Sequence, residues 1–401
     1  DGNYTVNFDL PNPLAPFPHS LTTGIIPAHL LKKIPAPALR SAPFNSSPVG
    51  AGPFVWKFVE VLGTPVTDRQ QRITLAAFDK YAEGRPKLDG FNLLTYADEK
   101  KLTRAFVKKQ INAMSSLESL PDELKNDKSL QVYATALTSA VTAFFNNSHG
   151  ALSDVNIRRA LASGTDRSQL VHITGHPTEL VDSPLLRGQV GYNSTITQRG
   201  YNPDQANQLL DQAGWTRGDK NLRYKNGSVL ELSLRSQDTQ QYSLTTQFLQ
   251  QQWEKLGVKI NVTYYSGDDL QSQIIATHDY DILVYGISIG ADPDVFAYWD
   301  SSQASITSQG HSNLSEYKSS VADEALQAGR TRTDNTVRAV KYKAFLTAWT
   351  TDVPALALYQ PNYIYISRGP VYSYNRKAMN TAADRFYNVE NWMVRQKHQT
   401  N

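Results

Sequence analysis

The feature that most constrains the fold is a regular alternation of strand-like and helix-like segments between residues 230 and 285. In order, the segments are a strand at 230–234, a helix at 244–256 ended by Gly257, a strand at 258–265, a short helix at 270–277 and a strand at 282–285. Strands that alternate with helices form βαβ units, whose strands lie parallel in one sheet. The sequence therefore predicts an α/β fold with a parallel or mixed sheet.

The last strand of this run leads into the stretch DYDILVYGISIGADPD, residues 279–294. Its apolar part, 282–285, is typical of a buried parallel strand, although a short buried helix has the same pattern. It continues into the glycine-containing segment 286–290 and the turn signal Asp292-Pro293-Asp294, which can cap the segment 295–299. Open α/β sheets bind ligands at the carboxyl ends of their strands. The stretch is therefore a candidate ligand site, with an ordinary buried strand and turn as the alternative.

The rest of the chain predicts further strands and helices. The first residues alternate as in a half-buried strand at Tyr4, Val6, Phe8 and Leu10, and a proline-rich connector without long helices follows to residue 48. More strands are expected at 55–61, 73–78, 88–95, 130–132, 140–145, 355–359 and 363–366, and more helices at 98–114, 153–164, 203–213 and 323–352. Ser153 is the expected N-cap of the second of these helices, and the last is expected to break near Thr333-Asp334.

Composition excludes several classes of function. The chain has 401 residues, which predicts two or three domains, and a net charge of only +3. Because lysines and arginines never form a block longer than two, a role on nucleic acid or a membrane surface has little electrostatic support. The absence of cysteine excludes disulfides, thiolate metal sites and a cysteine nucleophile. No apolar stretch is long enough to span a membrane.

Two weak signals for chemistry remain, and neither predicts a catalytic or metal site. His172 and His176 have the helical spacing of a metal pair, but the glycine and proline beside His176 break a helix there. The aspartates around the candidate strand do not follow the pattern of a calcium loop, which needs acidic groups at alternate positions and a distal glutamate. We interpret them as solvated turn carboxylates. The sequence therefore predicts no catalytic residue, no metal ligand and no cofactor.

Taken together, several stretches resemble the family 5 extracellular solute-binding proteins, the dipeptide and oligopeptide receptors of ABC importers. The most specific is LSDVNIRRALASGTDRSQLV, residues 152–171, which is similar to the family's arginine- and alanine-rich helix. The other matching stretches, which follow the family's order, are PVGAGPF (48–54), YNPDQANQLLDQAGW (201–215), LGVKINV (256–262), DYDILVYGISIGADPDVF (279–296) and VPALALYQPNYIYI (353–366).

The resemblance implies a two-lobed, periplasmic-binding-protein-like (type II) α/β fold with mixed sheets. Under the family layout, residues 1–47 end an extra domain II, 48–149 with 363–401 form lobe I, and 150–362 form the opposing lobe II. The first residues of this chain resemble a region that lies well inside the sequences of family members. We therefore expect it to be truncated at the N-terminus, without the lipoprotein signal and the first strands of lobe I.

The resemblance also implies a function, that of a solute receptor that binds peptides in a cleft between two hinged lobes and delivers them to a membrane permease. It implies an extracytoplasmic location, lipid anchoring through the missing N-terminus, and no enzymatic activity, cofactor or nucleic-acid partner. One alternative is the same fold binding a non-peptide solute, such as a metal chelate, a sugar or an opine-like compound. A hydrolase that uses the aspartates and a purely partner-docking protein are further alternatives.

In the family, the backbone of an extended peptide pairs with the strand that matches residues 285–289 here. The site residues expected on this basis are Tyr285, Gly286, Ile287, Ser288, Ile289, Asp292, Asn146 and Tyr359. Family members commonly place an aspartate after the strand to pair with the α-amino group of the ligand, whereas this chain has Ile289 there. A buried ammonium without a partner is costly, so either Asp292 takes over or the ligand lacks a free α-amino group.

Overall fold

The structure is a computed structural model that describes residues 5–63, 69–117, 119–173, 178–308 and 310–395. The chain forms two compact units. The larger unit combines the described part of Asp1–Thr22 with Thr138–Pro361, and the smaller unit combines Thr23–Leu137 with the described part of Asn362–Asn401. Both contain helices and sheets, which confirms the α/β class.

Strands and helices are numbered in chain order. The strands are β1 Phe54–Leu62, β2 Gln70–Ala77, β3 Gly90–Leu94, β4 Ala113–Ser115, β5 Leu130–Ala136, β6 Ser139–Phe145, β7 Glu179–Leu180, β8 Thr216–Arg217, β9 Arg223–Lys225, β10 Ser228–Val229, β11 Glu231–Gln237, β12 Lys259–Tyr265, β13 Ile282–Ser288, β14 Ala355–Gln360, β15 Asn362–Arg368, β16 Val371–Tyr372 and β17 Met393–Val394. The helices are α1 Phe17–Ser20, α2 Ala28–Leu31, α3 Glu99–Val107, α4 Val155–Ser163, α5 Arg167–Ile173, α6 Pro203–Gln212, α7 Gln240–Lys255, α8 Gly267–Asp269, α9 Phe296–Trp299, α10 Ser320–Arg330 and α11 Asn335–Asp352. A π-helical segment, Leu270–Ile275, continues α8.

The larger unit is built on one mixed sheet with the strand order β12-β11-β13-β6-β14-β7. β11 runs parallel to both β12 and β13, whereas β6 runs antiparallel to β13 and β14. The strand–helix–strand alternation after residue 230 therefore forms the predicted βαβ units. Gly257 ends the α7 region with φ +86°, the left-handed geometry that favours glycine.

Both faces of this sheet are covered. Val284 and Trp253 belong to a core on the face that carries α4, α6 and α7, and Leu283 and Trp349 belong to a second core on the face that carries α9, α10 and α11. Successive side chains of a strand point to opposite faces, so β13 is buried on both sides. This is why its sequence is a continuous apolar run rather than an alternating one.

The smaller unit contains two antiparallel three-stranded sheets, β1-β2-β3 and β4-β15-β5. Phe106 of α3 packs with Met114 and Ile366 in one core. A second core is aromatic, and in it the rings of Tyr365 and Tyr374 stack at 5.0 Å. The predicted strands of this unit are confirmed with small changes at their ends.

The N-terminal strand prediction was wrong in the part that the structure describes. Residues 5–10 form no strand, and the side chains of Val6, Phe8 and Leu10 are 74%, 54% and 42% exposed. Alternation of apolar and polar residues makes a strand only where a neighbouring strand supplies hydrogen bonds, and these residues pair with none in the described chain. Tyr4 lies outside the described residues.

Two helix predictions needed correction. The helix expected over 98–114 ends at Val107, because Lys109 adopts a left-handed conformation with φ +59° and β4 begins shortly afterwards. The N-cap of α4 is Asp154, whose carboxylate accepts the Asn156 N–H at 2.8 Å. The Ser153 hydroxyl donates instead to the Gly150 carbonyl.

The assignment of residues to lobes stays a prediction. The compact units change over at Thr22/Thr23, Leu137/Thr138 and Pro361/Asn362, while the family layout places the changes at 47/48, 149/150 and 362/363. Of the helices in the described chain, none combines the length and the apolar character needed to cross a bilayer.

Arg158 provides a test of how α4 is fixed in the larger unit. Its buried guanidinium donates to the carbonyls of Leu152 and Asp352 at 2.7 Å, and also to those of Ser153 and Val353. We expect Arg158→Met to lower the free energy of unfolding by about 3 kcal/mol, because buried carbonyls lose their donors. Urea denaturation measures this. The neighbouring Arg159→Met, which removes only an exposed contact to Thr351, should cost below about 1 kcal/mol, and equal losses would contradict the account.

Candidate functional site

The candidate site centres on β13, one of whose edges is only partly paired. β6 pairs with β13 along its whole length, from Ile282 to Ser288. On the opposite side, β11 pairs only with residues 282–284. The remaining residues, Tyr285–Ser288, have no strand partner on that side among the described residues, and this part of β13 is called the open edge. An unpaired strand edge offers main-chain donors and acceptors to an incoming strand.

Hydrogen bonds at the two ends of the open edge show which main-chain groups face outward. The Val284 carbonyl accepts the Ser236 hydroxyl at 3.0 Å on the β11 side, whereas the Ile289 N–H donates to the Thr138 carbonyl at 2.9 Å on the β6 side. Main-chain groups of successive strand residues alternate between the two sides. Gly286 and Ser288 therefore direct their main-chain groups to the open edge.

Two tyrosines that sequence reasoning missed contact these groups. The N–H of Gly286 is hydrogen-bonded to the phenol oxygen of Tyr242, near the start of α7. The Tyr298 hydroxyl on α9 donates to the Ser288 carbonyl at 2.7 Å. Burial raises the pKa of Tyr242 to about 12, so its hydroxyl stays protonated at neutral pH. Nothing in the local sequence around either tyrosine indicates these contacts, because both depend on how helices pack beside β13.

The glycine at position 286 leaves room for the Tyr242 hydroxyl beside the strand. A Cβ atom added there would lie 2.8 Å from the Tyr242 hydroxyl oxygen, which is inside van der Waals contact. The close approach of Tyr242 to the backbone therefore depends on the missing side chain. This explains the glycine that the sequence places inside an otherwise apolar strand.

The isoleucines of the candidate stretch point into the unit. Ile287 and Ile289 are 5% and 7% exposed and pack in the core on the α9–α11 face. Tyr285 is half-buried and packs against the same core, while Ser288 is exposed. The structure therefore brings Tyr285, Gly286 and Ser288 together on the open edge, with Ile287 and Ile289 as packing residues beneath it.

Tyr359 lies close to the open edge, through one intervening strand. It pairs with Val141 of β6, and Val141 pairs in turn with Gly286. Its fully buried hydroxyl is 3.0 Å from the Thr245 hydroxyl of α7. Tyr359 therefore joins β14 to the helix that carries Tyr242, on the same face of the sheet.

Asn146 is not brought to the open edge. It follows β6, whose last residue, Phe145, pairs with Ile282 at the opposite end of β13. The Asn146 N–H donates to the Asp281 carbonyl at 2.8 Å, and its side-chain oxygen accepts the Ser148 N–H. At about 3.3 Å per strand residue, this end lies about 20 Å from Ser288.

Asp292 is held by Arg338 in a buried ion pair. The two guanidinium nitrogens of Arg338 donate to the two carboxylate oxygens at 2.7 and 2.8 Å. The side chain of Asp292 is 9% exposed and that of Arg338 is 4% exposed. Arg338, on α11, also donates to the Gly329 carbonyl of α10 at 3.1 Å, which ties the two helices together. The Asp292 carboxylate would have to leave Arg338 before it could meet a ligand.

The neighbouring Asp294 is also paired. Its carboxylate lies 3.0 Å from the Arg330 guanidinium, which stacks on the Phe296 ring at 4.2 Å. Burial nevertheless raises the pKa of Asp294 above its usual value. These contacts tie the loop after β13 to α10 and α11.

The described residues contain no cluster of three or more histidines, cysteines and acids that could hold a metal ion. His176 lies in 174–177, outside the described residues, so the His172–His176 pair stays untested. Among the described aspartates of the candidate stretch, Asp281 accepts hydrogen bonds from the N–H and the hydroxyl of Ser233, and Asp292 and Asp294 pair with arginines. Asp279 is exposed.

Comparison with known proteins identifies the family of this chain. Residues 1–308 match the model described as "Bacterial extracellular solute-binding proteins, family 5 Middle". Because the match covers well over half of the chain, the chain belongs to family 5 of the bacterial extracellular solute-binding proteins. This is a family of binding proteins rather than enzymes.

Individual relatives agree with this assignment. The chain is 26% identical over 382 residues to the oligopeptide-binding protein AppA of Bacillus subtilis, covering 93% of this chain and 67% of that protein. The solved structure of AppA in complex with a nonapeptide has a TM-score of 0.73 at 23% identity and covers 97% of this chain and 76% of that chain. NikZ of Campylobacter jejuni in complex with Ni(L-His) has a TM-score of 0.75 at 22% identity, with coverages of 96% and 75%. The two structures confirm the predicted periplasmic-binding-protein-like fold.

The Arg338–Asp292 pair provides a test of how the loop after β13 is held. We expect Arg338→Met to lower the free energy of unfolding by about 3–5 kcal/mol, because the mutation leaves a buried carboxylate without its partner. Thermal and urea unfolding measure this change. Lys341→Met, an exposed change on the same helix, is the matched control and should stay within about 0.5 kcal/mol. A near-neutral Arg338→Met would show that Asp292 does not need its partner.

Proposed function

We propose that this chain binds peptides through the open edge of β13 and serves as the solute receptor of an ABC importer. The observation that carries the proposal is that Gly286 and Ser288, at the end of a buried strand, have no strand partner on the open edge among the described residues. Membership of a solute-binding family and similarity to an oligopeptide-binding protein support it.

An extended peptide that adds to a strand edge obtains its affinity from main-chain hydrogen bonds, whatever its side chains. The open edge suits this mode because Gly286 has no side chain and Ser288 has a small, exposed one. The ligand backbone can therefore approach closely. In the proposal, Gly286 and Ser288 bind the peptide, Tyr285 borders it, and Ile287, Ile289 and Tyr359 hold the strand in place. Asp292 and Asn146 remain weaker candidates for ligand contact.

A non-peptide solute is the second candidate, and the Arg338–Asp292 pair favours it. Because both carboxylate oxygens of Asp292 accept hydrogen bonds from Arg338, this carboxylate is not available to pair with the free α-amino group of a peptide. A relative with the same fold was solved with Ni(L-His), which shows that the fold accommodates a metal chelate in that protein.

Family membership supports further parts of the proposal. The receptor would act outside the cytoplasm and deliver its solute to a membrane permease. Anchoring by a lipid belongs to the same proposal. A binding protein that captures intact solute needs no chemical step, which agrees with the paired state of Asp281, Asp292 and Asp294.

Isothermal titration with tetra-alanine tests the proposal, because this peptide offers a main chain and almost no side chain. We expect it to bind the wild type, and Ser288→Pro to weaken binding by about 10-fold or more. The proline removes the N–H at the open edge and places its ring where the ligand backbone would lie. The change should spare the fold, because proline is tolerated where the strand N–H faces away from the ladder.

Ser288→Ala is the matched control, since it keeps the N–H and removes only the hydroxyl. Its affinity should equal that of the wild type, and circular dichroism should show all three proteins folded. Equal affinity of the proline and alanine variants would contradict binding at the open edge. Binding of a nickel–histidine chelate without binding of tetra-alanine would replace the proposal with the second candidate.

A further inference from the structure

The open edge is not empty in this structure, because a side chain of the protein itself occupies one of its acceptors. The Tyr298 hydroxyl donates to the Ser288 carbonyl at 2.7 Å, in the place where an N–H of an incoming peptide would donate. We propose that Tyr298 competes with the ligand for this carbonyl and thereby sets how a peptide pairs with β13. The inference rests on the proposed function, since it concerns the same edge.

Of the two tyrosines whose hydroxyls hydrogen-bond to the main chain of the open edge, Tyr298 is the one able to move. Tyr242 packs against the core on the α7 face, and its hydroxyl lies so close to Gly286 that no Cβ would fit between them. Tyr298 is only half-buried and lies on the four-residue helix α9. A change of side-chain rotamer moves Tyr298 away without unfolding any strand, whereas Tyr242 has no such freedom.

The geometry of strand pairing gives Tyr298 a role in specificity. In an antiparallel pair, one residue exchanges both its N–H and its C=O with one partner residue. In a parallel pair, a residue bonds to groups of two residues that flank its partner. With both tyrosines in place, the open edge offers the Gly286 C=O and the Ser288 N–H. These groups flank Ile287 and suit one ligand residue in parallel orientation.

Departure of Tyr298 changes what the edge offers. Ser288 then presents both its N–H and its C=O, which is the arrangement that an antiparallel ligand residue needs. Gly286 cannot offer both groups, because Tyr242 keeps its N–H. Tyr298 therefore separates two binding modes, and a ligand that pairs antiparallel with Ser288 must first displace the tyrosine hydroxyl.

The position of Tyr298 is set by the loop before it. The Asp294 carboxylate accepts the N–H of Phe296 at the start of α9 and binds Arg330, whose guanidinium lies 4.2 Å from the Phe296 ring centroid. The arginine on α10 thus holds α9 beside β13. The tyrosine hydroxyl remains within reach of Ser288 whenever no ligand is present.

The test is the affinity of Tyr298→Phe for tetra-alanine and for tetra-alanine analogues, each N-methylated at one main-chain amide. Removing the competing hydroxyl should tighten binding of tetra-alanine by about 2- to 10-fold, the range of one exchanged hydrogen bond. One analogue carries its methyl group on the amide that would otherwise donate to the Ser288 carbonyl. Tyr298→Phe should bind this analogue no more tightly than the wild type does. Tyr201→Phe, an exposed tyrosine of the same unit, is the matched control and should bind like the wild type.

Three results would overturn the inference. The first is a Tyr298→Phe protein that melts like the wild type yet binds tetra-alanine equally or more weakly. The second is an equal gain for every N-methylated analogue, which would indicate relief of steric crowding rather than release of an acceptor. The third is a wild-type protein that binds no tetra-alanine at all. Only this third result also contradicts the proposed function, whereas the first two contradict the role of Tyr298 and leave peptide binding in place.

Discussion

The offset between the two neighbours of β13 is the constraint on which the site depends. β6 accompanies β13 to Ser288, whereas β11 stops pairing at Val284 and its chain turns away into α7. The long antiparallel partner keeps the exposed part of β13 extended, and the short parallel partner leaves the main chain of that part accessible. Burial of β13 on both faces holds this arrangement, because a shift by one residue would exchange Leu283 and Val284 between two separate cores.

The carboxylates of Asp281, Asp292 and Asp294 stabilise the scaffold around this strand. Asp281 accepts two hydrogen bonds from Ser233 before the strand, and Asp292 and Asp294 bind arginines after it. Each buried carboxylate thus has a partner, as the cost of an unpaired buried charge requires. The groups left for recognition are amides, hydroxyls and phenols. Such a site suits a ligand recognised by its main chain more than one recognised by a single charge.

Much of the sheet could be predicted from the sequence, because its signals are local. The apolar run of β13 reflects burial on both faces, and Gly257 marks the end of α7 by a left-handed turn that only a few residues accept. The site could be predicted only in part. Asn146 stays a predicted ligand residue, but the antiparallel direction of β6, which no local pattern encodes, places it at the end of β13 away from the open edge. The contacts of Tyr242, Tyr298 and Arg338 join residues distant in sequence, and packing alone reveals them.

The most direct test of the central claim is amide hydrogen exchange of residues 285–288, with and without saturating tetra-alanine. The account predicts that the Ser288 amide, which has no strand partner within the described part of the chain, gains protection when the peptide binds. The Ile289 amide, already bonded to the Thr138 carbonyl, should change little. Tight binding of the peptide without added protection at Ser288 would show that the ligand is held elsewhere, and would contradict the assignment of this strand edge as the binding site.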